Sequence, residues 1–169
     1  LRALGYRVET YDSAQSFLAR APVEDIGCVV LDLRMPAIDG LDLQARLAAR
    51  GDDLPIVFVT GHGDVPSSVR AMKGGALDFL TKPFDDSLLR AAVERALDRH
   101  AGLRASKAGF DALRARFDTL TPREREVCGQ VADGRLNKQV AEALGTGEKT
   151  IKVHRARVME KLGVRSVAE

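Results

Sequence analysis

The sequence of 169 residues has no tryptophan, only six Phe and two Tyr, two cysteines and three histidines. No apolar run approaches the roughly 18 residues that a membrane-crossing helix needs. The opening LRALGYRVET lacks the basic, apolar and cleavage-site segments of a secretory signal. A soluble, cytoplasmic protein with no membrane partner is expected. Cys28 and Cys128 lie a hundred positions apart with no metal-ligand spacing, which reads as two inert thiols. His62, His100 and His154 are scattered without a Cys or carboxylate at ligand spacing, so no metal site is built on them.

What is present is an ordinary globular composition, 45% hydrophobic and 30% charged. The net charge of +2 conceals an asymmetry. Residues 1–100 carry 12 Lys and Arg against 15 Asp and Glu, whereas 101–169 carry 14 against 9. An acidic front and a basic back point to two domains with different partners, the second suited to a polyanion.

The front alternates short apolar runs with helical patterns, as repeating βα units do. Strands are expected at YRVETY (6–11), CVVLD (28–32), PIVFVT (55–60) and ALDFL (76–80), and helices at 13–20, 41–50, 65–75 and 85–100. Pro66 suits a first helical turn and Gly74 a stop. AGLRASKAG then reads as a linker or a helix extension reaching about Arg116. From Leu120 the pattern is helical only. Thr121, Pro122 and Glu124 make a capping box that starts one helix, Asn137 is read as the cap of a second, and 147–163 is a third.

In a doubly wound sheet, chemistry collects where parallel strands end. Asp32, Thr60 and Lys82 occupy three such exits. A carboxylate, a hydroxyl and an ammonium together suit phosphoryl transfer, with the carboxylate as nucleophile and the other two on the phosphoryl oxygens. Singly, each has a plainer reading: Asp32 an Asx-turn, Thr60 a cap, Lys82 a solvated loop charge. Phe79 reads equally as a half-buried strand aromatic.

VVLDLRMPAIDG, VFVTGHGD and DFLTKPF resemble the three blocks of a response-regulator receiver domain, over residues 1 to about 100. The resemblance implies a flavodoxin-like α/β doubly wound parallel sheet. It makes Asp32 the phosphoacceptor, served by a sensor histidine kinase. Thr60 and Lys82 would contact the phosphoryl oxygens, Phe79 would swing inward with Thr60, and Lys82-Pro83 would be the cis peptide. Mg²⁺ is expected for phosphorylation, on Asp32 and the Arg34 backbone carbonyl, with the remaining acidic ligands absent from this chain. Those ligands follow the family's first strand. LRALG looks like the end of the helix after it, so the chain is expected to be a fragment of a longer product in which YRVETY has lost its neighbour. A phosphatase on a similar sheet would need a second carboxylate two residues after the first, where this chain has Arg34, and no enzyme is expected.

In the back half, ALGTGEKT is the tight turn of a helix-turn-helix. With Ile151 facing the core, Val158 and Leu162 share its face, while Lys149, Lys152, Val153, Ala156 and Arg157 lie opposite. That cationic face with small apolar members suits a major groove, although a solvated helix face has the same composition. LTPREREV and KTIKVHRARVMEKLGV resemble the LuxR-type DNA-binding domain. By that resemblance Lys152, Val153 and Ala156 face bases, and Lys138, Lys149, Thr150 and His154 lie near phosphates. Thr146 and Gly147 depart from the family's hydrophobic-then-Ser/Thr pattern, and the chain stops at Glu169 just inside a fourth helix that in the family helps form dimers.

The sequence therefore implies a NarL/FixJ-type response regulator: receiver at 1–100, linker or helix extension at 101–116, and helix-turn-helix domain at 117–169. Phosphorylation of Asp32 would make it a homodimer on double-stranded promoter DNA. The alternative keeps DNA binding and makes the front half a phosphorylation-independent interaction module.

Overall fold

The computed structural model describes every residue except 3–4, 22–24, 62 and 167–169. His62, part of the helix end read at 1–5 and the fourth-helix start at Glu169 lie outside the described residues. The chain divides into two compact units, Leu1–Ala105 and Ser106–Glu169.

In the first unit the described elements are α1 (Ala14–Leu18), β1 (Val29–Leu31), α2 (Gly40–Ala49), β2 (Ile56–Thr60), α3 (Val65–Lys73), β3 (Asp78–Thr81) and the start of α4 (Asp86–Asp118). The strands form a parallel sheet in the order β1-β2-β3, with Val30 opposite Val57 and Phe58 opposite Phe79. Parallel strands covered on both faces read as continuous apolar runs, and every residue of β2 is buried. The strand's alternation divides the core. Ile56 and Phe58 pack with Leu31, Leu43, Leu47 and Ala71 on one face, and Val57 and Val59 with Ala92 and Ala96 of α4 on the other.

Segment 6–11 is not a strand. Strand backbone needs a partner about 4.8 Å away, but 6–11 pairs with no strand among the described residues, and its Tyr6, Val8 and Thr10 line a cavity of about 740 Å³ together with Val29, Val30 and Leu31. The segment is held by side chains instead. Arg7 pairs with Asp25, and the Tyr11 ring meets Phe17 edge-on at 5.1 Å. The last strand also starts later than expected, at Asp78. The turn takes Ala76, whose N–H donates to Ala71 O at 3.0 Å, while the Leu77 N–H already reaches across to Ile56 O of β2 at 2.8 Å, just ahead of β3.

Helix α4 runs unbroken to Asp118, through the segment read as a linker or extension. AGLRASKAGFDALRARF holds no proline and is rich in Ala, Leu and Arg, and its two glycines at 102 and 109 are tolerated.

The second unit adds α5 (Pro122–Ala132), α6 (Asn137–Ala143) and α7 (Glu148–Leu162) around buried Val127, Val140, Ala141 and Ile151. Thr121 and Glu124 close a reciprocal capping box at α5. Asn137 is not the cap of α6: that position is Leu136, whose N–H donates to Gln139 Oε1 at 2.9 Å. The Asn137 carboxamide instead accepts from Arg155 Nη1 at 3.0 Å, tying α6 to α7. Gly163 ends α7 at φ +70°, in the left-handed region that glycine enters without strain.

Candidate functional site

Asp32 follows β1, Thr60 ends β2 and Lys82 follows β3. Parallel pairing brings these positions to the same edge of the sheet, because all three strands leave in one direction. Lys82 Nζ lies 3.7 Å from Asp32 Oδ2, with both side chains about half exposed, at 52% and 44%. Such a pair adds little to stability, which leaves its atoms open to a ligand. The other carboxylate oxygen, Oδ1, accepts from the Arg34 N–H at 3.1 Å. The plainer reading of Asp32, an Asx-turn, is therefore present beside the ion pair. Thr60 is only 1% exposed, and its carbonyl accepts from the Lys82 N–H at 2.8 Å, which ties two of the exits together.

Gly40 opens α2 directly beneath this edge. A Cβ there would lie 2.5 Å from the Asp32 carbonyl oxygen and 2.8 Å from Phe58 Cε1, so only glycine lets the helix begin so close. Phe79 is half-buried within β3, its ring 6.0 Å from Phe58. A Cβ at Gly63 would stand 2.9 Å from the Phe79 ring edge, so the loop after β2 lies against the aromatic. The Lys82-Pro83 peptide is cis.

Among the described residues, no group of three His, Cys, Asp or Glu could hold a metal ion. Receivers generally use Mg²⁺ for phosphorylation. Here the ligands expected at this edge reduce to the Asp32 carboxylate and the Arg34 carbonyl. Mg²⁺ keeps several waters and is held through one or two carboxylates plus phosphate oxygens, so this carboxylate and carbonyl are a partial ligand set that fits the ion without completing its shell.

In the second unit, Ile151 and Val158 point inward, at 0% and 6% exposure. Lys149, Thr150, Lys152, Val153, Ala156 and Arg157 form the open face of α7, and Lys138 is exposed on α6. His154 sits apart from that set. It is half-buried, and its Nδ1 is enclosed without a hydrogen-bond partner. Sequence reasoning missed the clamp that fixes this face. Buried Glu124 accepts from Lys161 Nζ at 2.6 Å while holding the Thr121 N–H at 2.9 Å, joining the start of α5 to the end of α7. The capping box signalled Glu124; nothing local signalled Lys161, which lies 37 positions away.

The bond from Lys161, helped by the Thr121 N–H, pulls the Glu124 carboxyl from 4.5 down to about 2. A depressed folded-state value stabilises fully above the ordinary range and is lost as pH falls through the folded value. Helical melting of the second unit is therefore expected to weaken between pH 4.5 and 2. The Glu124→Gln variant should be less stable at neutral pH and lose less over that window in pH-dependent circular dichroism melts. Equal slopes for both proteins would contradict the clamp.

A three-stranded parallel sheet flanked by helices, with an acidic, hydroxylic and basic edge and a separate helix-turn-helix unit, defines a phosphorylation-responsive DNA-binding regulator. Comparison with known proteins gives the same class. Residues 1–94 match the response regulator receiver domain, and 118–169 match the bacterial regulatory proteins of the luxR family. Nodulation protein W of Bradyrhizobium diazoefficiens is 45% identical over 99% of this chain and 74% of its own length. The transcriptional regulatory protein FixJ of the same organism is 43% identical over the whole chain and 82% of its length. The solved structure of the response regulator StyR superposes with a TM-score of 0.84 at 48% identity, covering 99% of this chain and 84% of that one. This chain belongs to the response-regulator family, as a receiver joined to a LuxR-type helix-turn-helix domain, and is a phosphorylation-controlled transcriptional regulator. The receiver implies a histidine-kinase partner and the helix-turn-helix implies DNA. Such regulators are generally not enzymes. Among the described residues, no helix is long and apolar enough to cross a membrane.

Proposed function

We propose that Asp32 is the phosphoacceptor of this regulator. The observation that carries the reading is the 3.7 Å approach of Lys82 Nζ to Asp32 Oδ2 at the common exit of parallel strands. A carboxylate oxygen of Asp32 attacks the phosphorus of the kinase's phosphohistidine. The new O–P bond makes an acyl phosphate as the N–P bond breaks, and the imidazole leaves with the bonding pair. The Lys82 ammonium neutralises charge on the transferred oxygens and the Thr60 hydroxyl donates to one of them, with Phe79 following Thr60 inward. Mg²⁺, when bound, would screen phosphate repulsion, and the Asp32 carboxylate and Arg34 carbonyl would be this chain's share of its ligands.

The receiver occupies about 1–100, a connector 101–116 and the DNA reader 117–169. Lys152, Val153 and Ala156 enter the major groove of promoter DNA, and Lys138, Lys149, Thr150 and His154 serve the phosphates. Exposure of Lys138, Lys149, Lys152, Val153 and Ala156 supports the reading; half-buried His154 makes the smallest contribution. Phosphorylation shifts a closed-to-open equilibrium toward a homodimer on DNA, and moving that balance from mostly off to mostly on takes about 5 kcal/mol. The protein acts in the cytoplasm.

Promoter affinity measured by fluorescence anisotropy, with and without a small phosphodonor and Mg²⁺, tests the control step in the full chain. Affinity is expected to rise at least about tenfold with phosphodonor, about 1.4 kcal/mol of coupling. Equal affinity in both arms would favour a phosphorylation-independent interaction module instead.

A further inference from the structure

Along α4, after the part that covers the sheet, the helix presents a largely exposed apolar stripe, whose Phe117 end lies under the Arg125 guanidinium, 5.6 Å from the ring centroid. Phe110 is 66% exposed, Leu113 49% and Phe117 40%. Their spacings of three and four place them on one side of the helix. The flank on one side of this stripe alternates in charge: Lys107, Asp111, Arg114, Asp118. No side-chain ion pair or hydrogen bond is made by Lys107, Asp111 or Arg114 among the described residues, while Asp118 meets Arg125 only loosely, at 3.9 Å. The opposite flank carries Gly109 and Arg116, and Arg116 is turned away to donate to Leu162 O at 3.2 Å.

We infer that this stripe is a self-association surface, on which a second copy of the chain packs its own α4 antiparallel about a two-fold axis between residues 112 and 113. The charge pattern selects both occupant and direction. Lys107 and Arg114 are separated by seven residues, as are Asp111 and Asp118. A single two-fold register therefore sets Lys107 against the partner's Asp118 and Arg114 against the partner's Asp111, with both pairs repeated by symmetry. In that register the apolar residues interleave at steps of about 1.5 to 3 Å along the axis, from the helical rise. Phe110 falls between the partner's Phe117 and the partner's Leu113. A parallel pair would instead set this flank against the partner's Gly109 and the partner's Arg116, leaving Lys107 and Arg114 with no acid to meet.

Three apolar side chains a copy fall below the roughly 1,200 Å² that a stable interface buries. The association is therefore weak and concentration-dependent. It is independent of the phosphoacceptor assignment, because no atom of the sheet edge takes part.

Sedimentation velocity of the unphosphorylated full chain, followed into the hundreds of micromolar, should show a monomer–dimer equilibrium. Phe110→Asp is expected to abolish it, and Arg114→Asp to weaken it roughly tenfold by turning symmetric attractions into repulsions. Adding Asp111→Arg to Arg114→Asp restores each pair with its charges exchanged and should recover the dimer. Direction is read with a short bismaleimide, using the unsubstituted chain as the control for Cys28 and Cys128. Leu113→Cys should cross-link to itself, whereas Phe117→Cys should not, since its two copies stand about 13 Å apart along the axis. A chain that stays monomeric, a dimer indifferent to Phe110→Asp, a double exchange that fails to restore association, or equal cross-linking at 113 and 117 would each overturn the inference. Phe110 is exposed, so its loss leaves the fold intact, and an unchanged circular dichroism melt confirms that the variant reports on association.

Discussion

Replacing Asp32 by Asn is expected to abolish phosphoryl uptake. The amide keeps the size and the turn, since its oxygen still accepts from the Arg34 N–H, but it removes the anion that Lys82 faces at 3.7 Å and the nucleophilic oxygen with it. Intact-mass measurement after treatment with a small phosphodonor and Mg²⁺ should show one added phosphoryl group on the parent chain and none on Asp32→Asn. Because Asp32 is about half exposed and its pair with Lys82 adds little stability, the melting temperature should move by no more than a few degrees. Lys82→Ala provides the complementary arm, with uptake slowed rather than lost. Undiminished uptake in Asp32→Asn would remove the residue from the chemistry and leave only its turn.

The second large effect concerns the sheet that holds this edge. Phe58 is fully buried in the central strand and packs toward both Gly40 and Phe79. Truncating such a ring costs about 3–5 kcal/mol, a large share of the 5–15 kcal/mol typical of a domain. Phe58→Ala is therefore expected to unfold the first unit at much lower urea while the second keeps its helices. The sequence supplies its own probe. Both tyrosines, Tyr6 and Tyr11, lie in the first unit and there is no tryptophan, so tyrosine emission follows that unit while circular dichroism follows all the helices. A loss of about 1 kcal/mol or less in the tyrosine transition would mean that the ring does not hold the exits together.

These predictions rest on features that were legible to different degrees. The βα alternation, the three exit residues and the helix-turn-helix could be read directly, because buried parallel strands and capped helices announce themselves by local pattern. The misreadings have nonlocal causes. YRVETY has the β-branched, alternating composition of a strand, but with no neighbouring strand paired to it among the described residues it stays irregular, as the expected loss of its neighbour implies. Asn137 has the chemistry of a cap, yet Arg155, 18 positions away, takes its oxygen. For the connector, a linker and a helix extension to about Arg116 both fitted the local pattern, and the chain takes the extension, to Asp118. The Glu124–Lys161 clamp and the fit at Gly40 arise only when distant segments meet.

Gly40 has a consequence for how this protein can diverge. The turn between Asp32 and α2 tolerates exchange where side chains face water, but a single methyl at position 40 would press on the Asp32 carbonyl and the Phe58 ring at once. Any side chain at position 40 would have to shift the Asp32 backbone and the Phe58 ring together, so the strand exit and the packing under it respond to that change as one unit.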